Sequence, residues 1–335
     1  MIMQKIRATI SAIGHYVPEK VLTNAELEKM VDTNDHWIQT RTGIRERRIL
    51  TKGATSDLGA CAAKDMIERF GIDPLEIDVI LVATITPDMA FPNTGCLIQE
   101  KIGARNAFCM DVSAACSGFI FGLVTAAQFV ESGNYKKVLL VAADKMSAIT
   151  DYTDRNTCIL FGDAGTAILV EASSDSEYGL IDAKLYCDAR GATPLHMRGG
   201  GSLFPASHET VDKKMHFIYQ DGKTVFKSAV AGMADVSTEI MKRNNLVSGD
   251  LDWLVPHQAN MRIITATAER AGLDMSKVMV NIDRYGNTTA ATIPLCLSEY
   301  WQQGRLQKGQ RLILVSFGAG YTWGSIYFRW SLDPK

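Results

Sequence analysis

The sequence predicts an α/β fold: two duplicated α/β halves, each a sheet with helices, packed face to face. Three observations predict it, namely strands apolar on both faces, helices alternating with them, and an internal repeat. The length of 335 residues suits one large α/β unit or two units of roughly 150–170 residues. Val79–Thr84, Val138–Ala143, Leu251–Val255 and Leu312–Phe317 are short, nearly continuous apolar runs. Such runs suit strands covered by helices on both sides. Helical patterns lie at Ser56–Phe70, Gly118–Ser132, Ala231–Asn244, Met261–Ala271 and Pro294–Gln303. Alternation of this kind favours mainly parallel sheets.

The repeat is carried by matched elements. A helix leads through Ile72–Asp78 into one strand, and another leads through Leu246–Asp252 into a second; Asp78 and Asp252 lie 174 positions apart. Lys101-Ile-Gly103 and Arg270-Ala-Gly272 end helices 169 apart, and the strands at Val138 and Leu312 start 174 apart. Elements in one order at nearly one offset indicate a duplication, dividing the chain into halves 1–184 and 185–335. Adding 171 to Cys116 reaches Asn287, which puts both in matching strand-to-helix loops. His257 falls in the loop matching the one after Thr84. Ligands in open α/β sheets bind beyond the carboxyl ends of strands, so three polar side chains can converge between the halves.

Composition narrows the function. Lys plus Arg number 35 against 37 Asp plus Glu, whereas a dedicated nucleic-acid binder needs a basic excess. No apolar run is long enough to span a bilayer, and Met1–Ile13 has no signal-peptide pattern. Seven cysteines include no C-x-x-C pair, which disfavours a disulfide framework or structural zinc. The expectation is a cytoplasmic protein with no metal site.

Cys116 stands out because Ser113-Ala-Ala-Cys-Ser-Gly118 joins a strand to a helix. Free N–H groups at a helix N-terminus favour a thiolate, and small neighbours admit a substrate. The remaining cysteines read as structural thiols. His257 ends a buried strand in Val255-Pro-His-Gln-Ala-Asn260, and Asn287 lies in Arg284-Tyr-Gly-Asn-Thr-Thr289, where it could also cap the next helix.

The chain resembles the β-ketoacyl-[acyl-carrier-protein] synthase III family of the thiolase-like fold, which implies two duplicated α/β halves packed as a layered α-β-α-β-α sandwich. The resemblance runs from about Ile6 to Trp330 and rests on Asn34–Arg47, Ala114–Phe119, Phe161-Gly-Asp-Ala-Gly165, Val255–Asn260 and Phe317-Gly-Ala-Gly-Tyr-Thr-Trp323. It implies decarboxylative condensation of an acyl-CoA primer, most simply acetyl-CoA, with malonyl-[acyl-carrier protein]. It also implies no permanently bound cofactor, with acyl-CoA as the substrate. Cys116 then matches the nucleophile, and His257 and Asn287 the pair acting on the malonyl thioester. The backbone N–H groups of Cys116 and Ala319 match the oxyanion hole, with alanine where some members have glycine. Thr33, Trp37, Arg41, Arg155, Gly222 and Asn260 match the coenzyme A and pantetheine site. Phe91, Met146 and Phe161 match the primer pocket, Phe91 from across a homodimer.

An acidic carrier protein needs a basic docking patch, for which Lys227, Arg262 and Arg270 are the candidates. The loop Leu195–Gln220 is longer than the family leads one to expect. A thiolase is disfavoured because no cysteine follows Cys296. A nicotinamide oxidoreductase is disfavoured because no G-x-G-x-x-G opens a helix after an early strand. A thiolase-fold acyltransferase or condensing enzyme of secondary metabolism remains as the alternative, whereas the duplication and the adenine-binding motif argue against a cysteine hydrolase.

Overall fold

The computed structural model describes residues 6–334; residues 1–5, where the segment examined for a signal peptide begins, and residue 335 lie outside the described residues. Five strands form the first sheet, in the order Ala8–Tyr16, Ala164–Ala172, Val138–Asp144, Val79–Ala83, Phe108–Val112. The last three are parallel, and the first two join antiparallel. The second sheet runs Gly179–Cys187, Thr322–Arg329, Arg311–Gly318, Trp253–Pro256 with the same senses. Its fifth position shrinks to one parallel bridge between Leu254 and Val278. Identical order and sense in both sheets is what a duplication leaves behind. The second sheet starts at Gly179, so its first strand spans the 184/185 division.

The sheets are less parallel than the alternation of strands and helices predicts: four of their seven pairings are antiparallel. For one of the four the reason is connection length. Only Ala319–Tyr321 separate Arg311–Gly318 from Thr322–Arg329, whereas a parallel return needs about a dozen residues or more.

Strand residues alternate between two apolar layers. Val79, Leu81 and Ala83 face a central layer shared with Leu312 and Leu314. Ile80 and Val82 face an outer cluster with Leu58, Met66 and Ile98, and Ile313 and Val315 face Met233, Ile240 and Ile264. The central layer holds the helices Gly118–Glu131 and Thr292–Gln302, through Phe119, Ile120, Leu123, Ile293 and Leu297. Helices Thr55–Phe70 and Thr94–Ile102 cover one outer face, and Gly222–Arg243 and Met261–Arg270 the other. Five layers, α-β-α-β-α, result. The helix expected from Ala231 begins at Gly222, capped by Asp221 accepting from the Thr224 N–H at 3.2 Å. Its early start brings Lys223 and Phe226 to the cavity at the strand ends.

Candidate active site

The carboxyl ends of Val79–Ala83, Val138–Asp144, Trp253–Pro256 and Arg311–Gly318 meet where the two halves touch. A cavity of about 540 Å³ opens there, lined by Cys116, His257, Asn287, Met146, Phe161 and Ala319. Toward its mouth lie Trp37, Arg41, Gly222, Asn260 and Arg262. Three side chains distant in sequence are thereby brought together.

Cys116 sits in a single turn, Ala115–Ser117, just before the helix Gly118–Glu131. Ala115 takes φ of +47°, a left-handed conformation that residues with a Cβ rarely adopt. The second half secures this turn. Ser316 Oγ donates to the Cys116 carbonyl at 2.8 Å, Ser117 Oγ to the Thr322 carbonyl at 2.9 Å, and Thr322 Oγ1 to the Ala114 carbonyl at 2.9 Å. Gly318 lies against it so closely that a Cβ would meet the Cys116 nitrogen at 2.9 Å and the Ser117 nitrogen at 3.0 Å. Burial, with the Asp144 charge second, pushes the Cys116 thiol up to about 12, against opposing bonds from its own N–H and the Asn287 side chain. The resting group is therefore a neutral thiol. A helix N-terminus alone leads one to expect the reverse, and desolvation outweighs it.

His257 continues the parallel ladder, its N–H donating to the Val315 carbonyl at 2.8 Å. Burial alone lowers its pKa to about 3, so the ring is neutral. Its Nδ1 lies 2.7 Å from Thr292 Oγ1. The neighbouring Gln258 is buried and ties its loop to the Pro256 and Met279 carbonyls at 2.7 and 3.1 Å. Asn260 caps the helix Met261–Arg270 through the Arg262 N–H at 2.9 Å.

Asn287 is held by backbone and side chain together. Its N–H donates to the Leu160 carbonyl at 2.8 Å, and its carbonyl accepts from the Gly162 N–H at 3.1 Å. Its Oδ1 accepts from the Thr289 N–H at 2.8 Å, which leaves the Nδ2 donor for the cavity. Thr289 has φ of +53° and donates its hydroxyl to Asp144 of the other half. Asp144 is buried and also accepts from the Thr84 and Thr86 hydroxyls and the Ile85 N–H at 2.8–2.9 Å. The repeat register shifts accordingly: Ala115 matches Thr289, both opening a turn with positive φ. Cys116 thus matches Ala290, and Asn287 matches Ser113. The loop-level correspondence stands; the pairing of Cys116 with Asn287 does not, because the second half inserts the short helix Ile282–Tyr285.

Other sequence-picked residues divide. Trp37 and Arg155 stack on each other, with the guanidinium 4.9 Å from the ring centre, so a base between them must first part them. Arg155 and Thr33 are outside the cavity lining; the Thr33 hydroxyl is buried without a hydrogen-bond partner. Phe91 is 85% exposed and away from the cavity of its own chain. Arg262 lies over the Phe226 ring at 4.8 Å. Arg270 points to Asp235 at 2.6 Å, which offsets its charge, and Lys227 is exposed beyond the lining.

Sequence reasoning missed Lys223, Phe226 and Ile218, which line the cavity, together with Asp144, Thr289 and Thr292. An Asp221–Thr224 cap placed at the start of the long helix would have found the first two. From the loop Leu195–Gln220, only Leu195, Ile218 and Gln220 reach the cavity. Its ends form a two-residue ladder that pairs Leu195 with Gln220.

Comparison with known proteins is specific. Residues 110–189 match the family described as 3-oxoacyl-[acyl-carrier-protein (ACP)] synthase III, and residues 241–330 match its C-terminal part. The chain is 59% identical to the β-ketoacyl-[acyl-carrier-protein] synthase III of Chlorobaculum tepidum, over 97% of this chain and 100% of that one. It is 52% identical to the enzyme of that name from Porphyromonas gingivalis, over 99% and 98%. Among solved structures, 3-oxoacyl-[acyl-carrier-protein] synthase III from Aquifex aeolicus superimposes with a TM-score of 0.89 at 38% identity, covering 96% of this chain and 100% of that one.

Proposed function

The chain belongs to the β-ketoacyl-[acyl-carrier-protein] synthase III family, the initiating condensing acyltransferases of fatty-acid synthesis, and from that membership we propose how its three converging side chains act. The observation that carries the proposal is one cavity with Cys116, His257 and Asn287 at one end and Trp37, Arg41 and Arg262 at the other. The primer is an acyl-CoA, most simply acetyl-CoA. Its pantetheine arm passes Gly222 and Asn260 while its acyl group rests against Met146 and Phe161. Trp37, Arg41, Arg155 and Thr33 serve the coenzyme A head.

In the first half-reaction, Cys116 Sγ attacks the thioester carbonyl. The N–H groups of Cys116 and Ala319 take the oxyanion. The bond to coenzyme A sulfur then breaks, and the thiol proton ends on that sulfur. In the second, malonyl-[acyl-carrier protein] loses carbon dioxide, and the C–C electron pair moves onto the thioester oxygen. His257 and Asn287 stabilise that enolate by hydrogen bonds. The enolate carbon attacks the acyl-cysteine carbonyl and Cys116 leaves, recovering a proton from solvent. The products are 3-oxoacyl-[acyl-carrier protein], coenzyme A and carbon dioxide.

The reading takes acyl-CoA as substrate and calls on no resident cofactor. Among the described residues no helix is long and apolar enough to cross a membrane, and the working compartment is the cytoplasm. A homodimer completes the pocket: Phe108 and Met110 are exposed on the free edge of the first sheet, and a second copy brings Phe91 to the primer. Lys227 and Arg262 form the carrier-protein patch, with Arg270 a lesser member because of its ion pair.

Acetyl-CoA labelling tests the scheme. One acetyl group should appear on the Cys116 peptide and vanish in Cys116→Ser. Asn287→Ala should still label while condensation falls by roughly 10²–10³-fold. Label at another cysteine overturns the nucleophile; equal loss of both half-reactions overturns the role of Asn287.

A further inference from the structure

We propose that Thr292 is a positioning residue for the decarboxylation step: its hydroxyl donates to His257 Nδ1 and so fixes the ring proton on Nε2, where it faces the cavity. The proposal rests on the reading of His257 as an enolate stabiliser.

Which nitrogen of a neutral imidazole carries the proton is set by the partner of the other nitrogen. The partner here is a hydroxyl, which can donate or accept, so its own proton decides the matter. Two facts send that proton to the ring. The Oγ1 to Nδ1 separation is 2.7 Å, which suits a hydroxyl donor and lies at the short end of the N–H···O range. The competing acceptor, the Thr289 carbonyl, is farther from Oγ1 at 3.1 Å and already accepts the Thr292 backbone N–H. Both His257 and Thr292 are 1% exposed, which keeps bulk water from substituting for the hydroxyl.

The consequence separates the two half-reactions. A neutral ring with its proton on Nε2 is a standing donor toward a thioester oxygen that gains charge as carbon dioxide leaves. The same nitrogen has no lone pair in the ring plane to accept the Cys116 proton. Acyl transfer from coenzyme A therefore does not depend on Thr292, whereas decarboxylation does.

Thr292→Val keeps the shape and removes the hydroxyl. Malonyl decarboxylation and condensation should then fall in kcat by roughly 10–100-fold, the usual cost of losing a partner that orients a functional histidine. KM should change little. Acetylation of Cys116 should stay within about threefold of wild type. Thr292→Ser should restore condensation. A folded Thr292→Val protein with wild-type condensation, or with equal loss in both half-reactions, overturns the proposal. So does a serine variant as impaired as the valine one.

An independent readout needs no variant of Thr292. In the ¹⁵N-histidine spectrum of the unmodified protein, the resonance lost in His257→Ala should show a protonated Nε2 and a bare Nδ1. A protonated Nδ1 would refute the proposal even if Thr292→Val failed to fold.

Discussion

Gly318→Ala tests how the second half sets the position of the nucleophile. The added methyl would sit 2.9 Å from the Cys116 nitrogen, 3.0 Å from the Ser117 nitrogen and 3.2 Å from the Ala114 carbonyl oxygen, where ordinary contact begins at 3.4 Å. All three are backbone atoms, so no side-chain rotation relieves the clash. The turn must withdraw by about half an ångström, and a reacting atom misplaced by ~1 Å loses about 10²-fold in rate. About a tenfold fall in Cys116 acetylation is expected. Overpacking costs about 1–3 kcal/mol, which lowers the melting temperature by a few degrees in a chain of this size. Single-turnover transfer from acetyl-CoA, followed by intact-protein mass, measures the first effect, and thermal unfolding the second. Gly249→Ala is the control, since nothing lies within 4 Å of its added methyl. A folded Gly318→Ala protein that acetylates at the wild-type rate would show that the 316–322 segment does not set the nucleophile.

Two further outcomes can be checked. His257 is held neutral with its pKa lowered from 6.5 to about 3, so the unfolded chain binds the extra proton first; stability from this group is complete above pH 6.5 and is lost as pH falls toward 3. The loss amounts to roughly 1.4 kcal/mol per pH unit. His257→Gln should flatten the acid limb of denaturant-measured stability, and an unaltered limb would contradict the burial argument. Arg262→Glu should raise the KM for malonyl-[acyl-carrier protein], with less effect on acetyl transfer and a penalty that shrinks with salt. Arg270→Glu should do less, because Asp235 already offsets that charge; equal effects would place the docking patch elsewhere.

The residues proposed to carry the chemistry stood out because each is an unusual residue type in a loop that leads into a helix, as Cys116, His257 and Asn287 are. The duplicated layers were legible because runs such as Val79–Ala83 are apolar on both faces. Strands such as Ala164–Ala172 and Thr322–Arg329 escaped. Their pairing is antiparallel, and a hydrophobic pattern does not record strand direction. Thr292 and Asp144 escaped for a different reason. A buried threonine or aspartate looks ordinary in sequence, and only the packing of one half on the other gives either its partner. The thiol's upward shift likewise comes from desolvation, a property of the assembled interface.

The duplication also explains why the two halves build one such site between them and not two. At one constant offset of 174 positions, Ala83, Cys116, Gly118 and Asp144 of the first half match His257, Ala290, Thr292 and Gly318 of the second. In the second half the matched pair is His257 bonded to Thr292. In the first half it is Ala83 and Gly118, packed so closely that a Cβ on Gly118 would lie 3.1 Å from the Ala83 methyl. There is no room there for an imidazole or a hydroxyl. Conversely, Gly318 makes way for the Cys116 turn, while Asp144 at the matching strand end holds Thr289 and, through it, Asn287. Each half lacks what the other supplies: the first keeps the proposed nucleophile and an anchoring carboxylate, the second the two proposed enolate donors. Restoring bulk at Gly118 would therefore impair the site without creating a second one, because its neighbours Ala83 and Ala290 carry no group that could use the space.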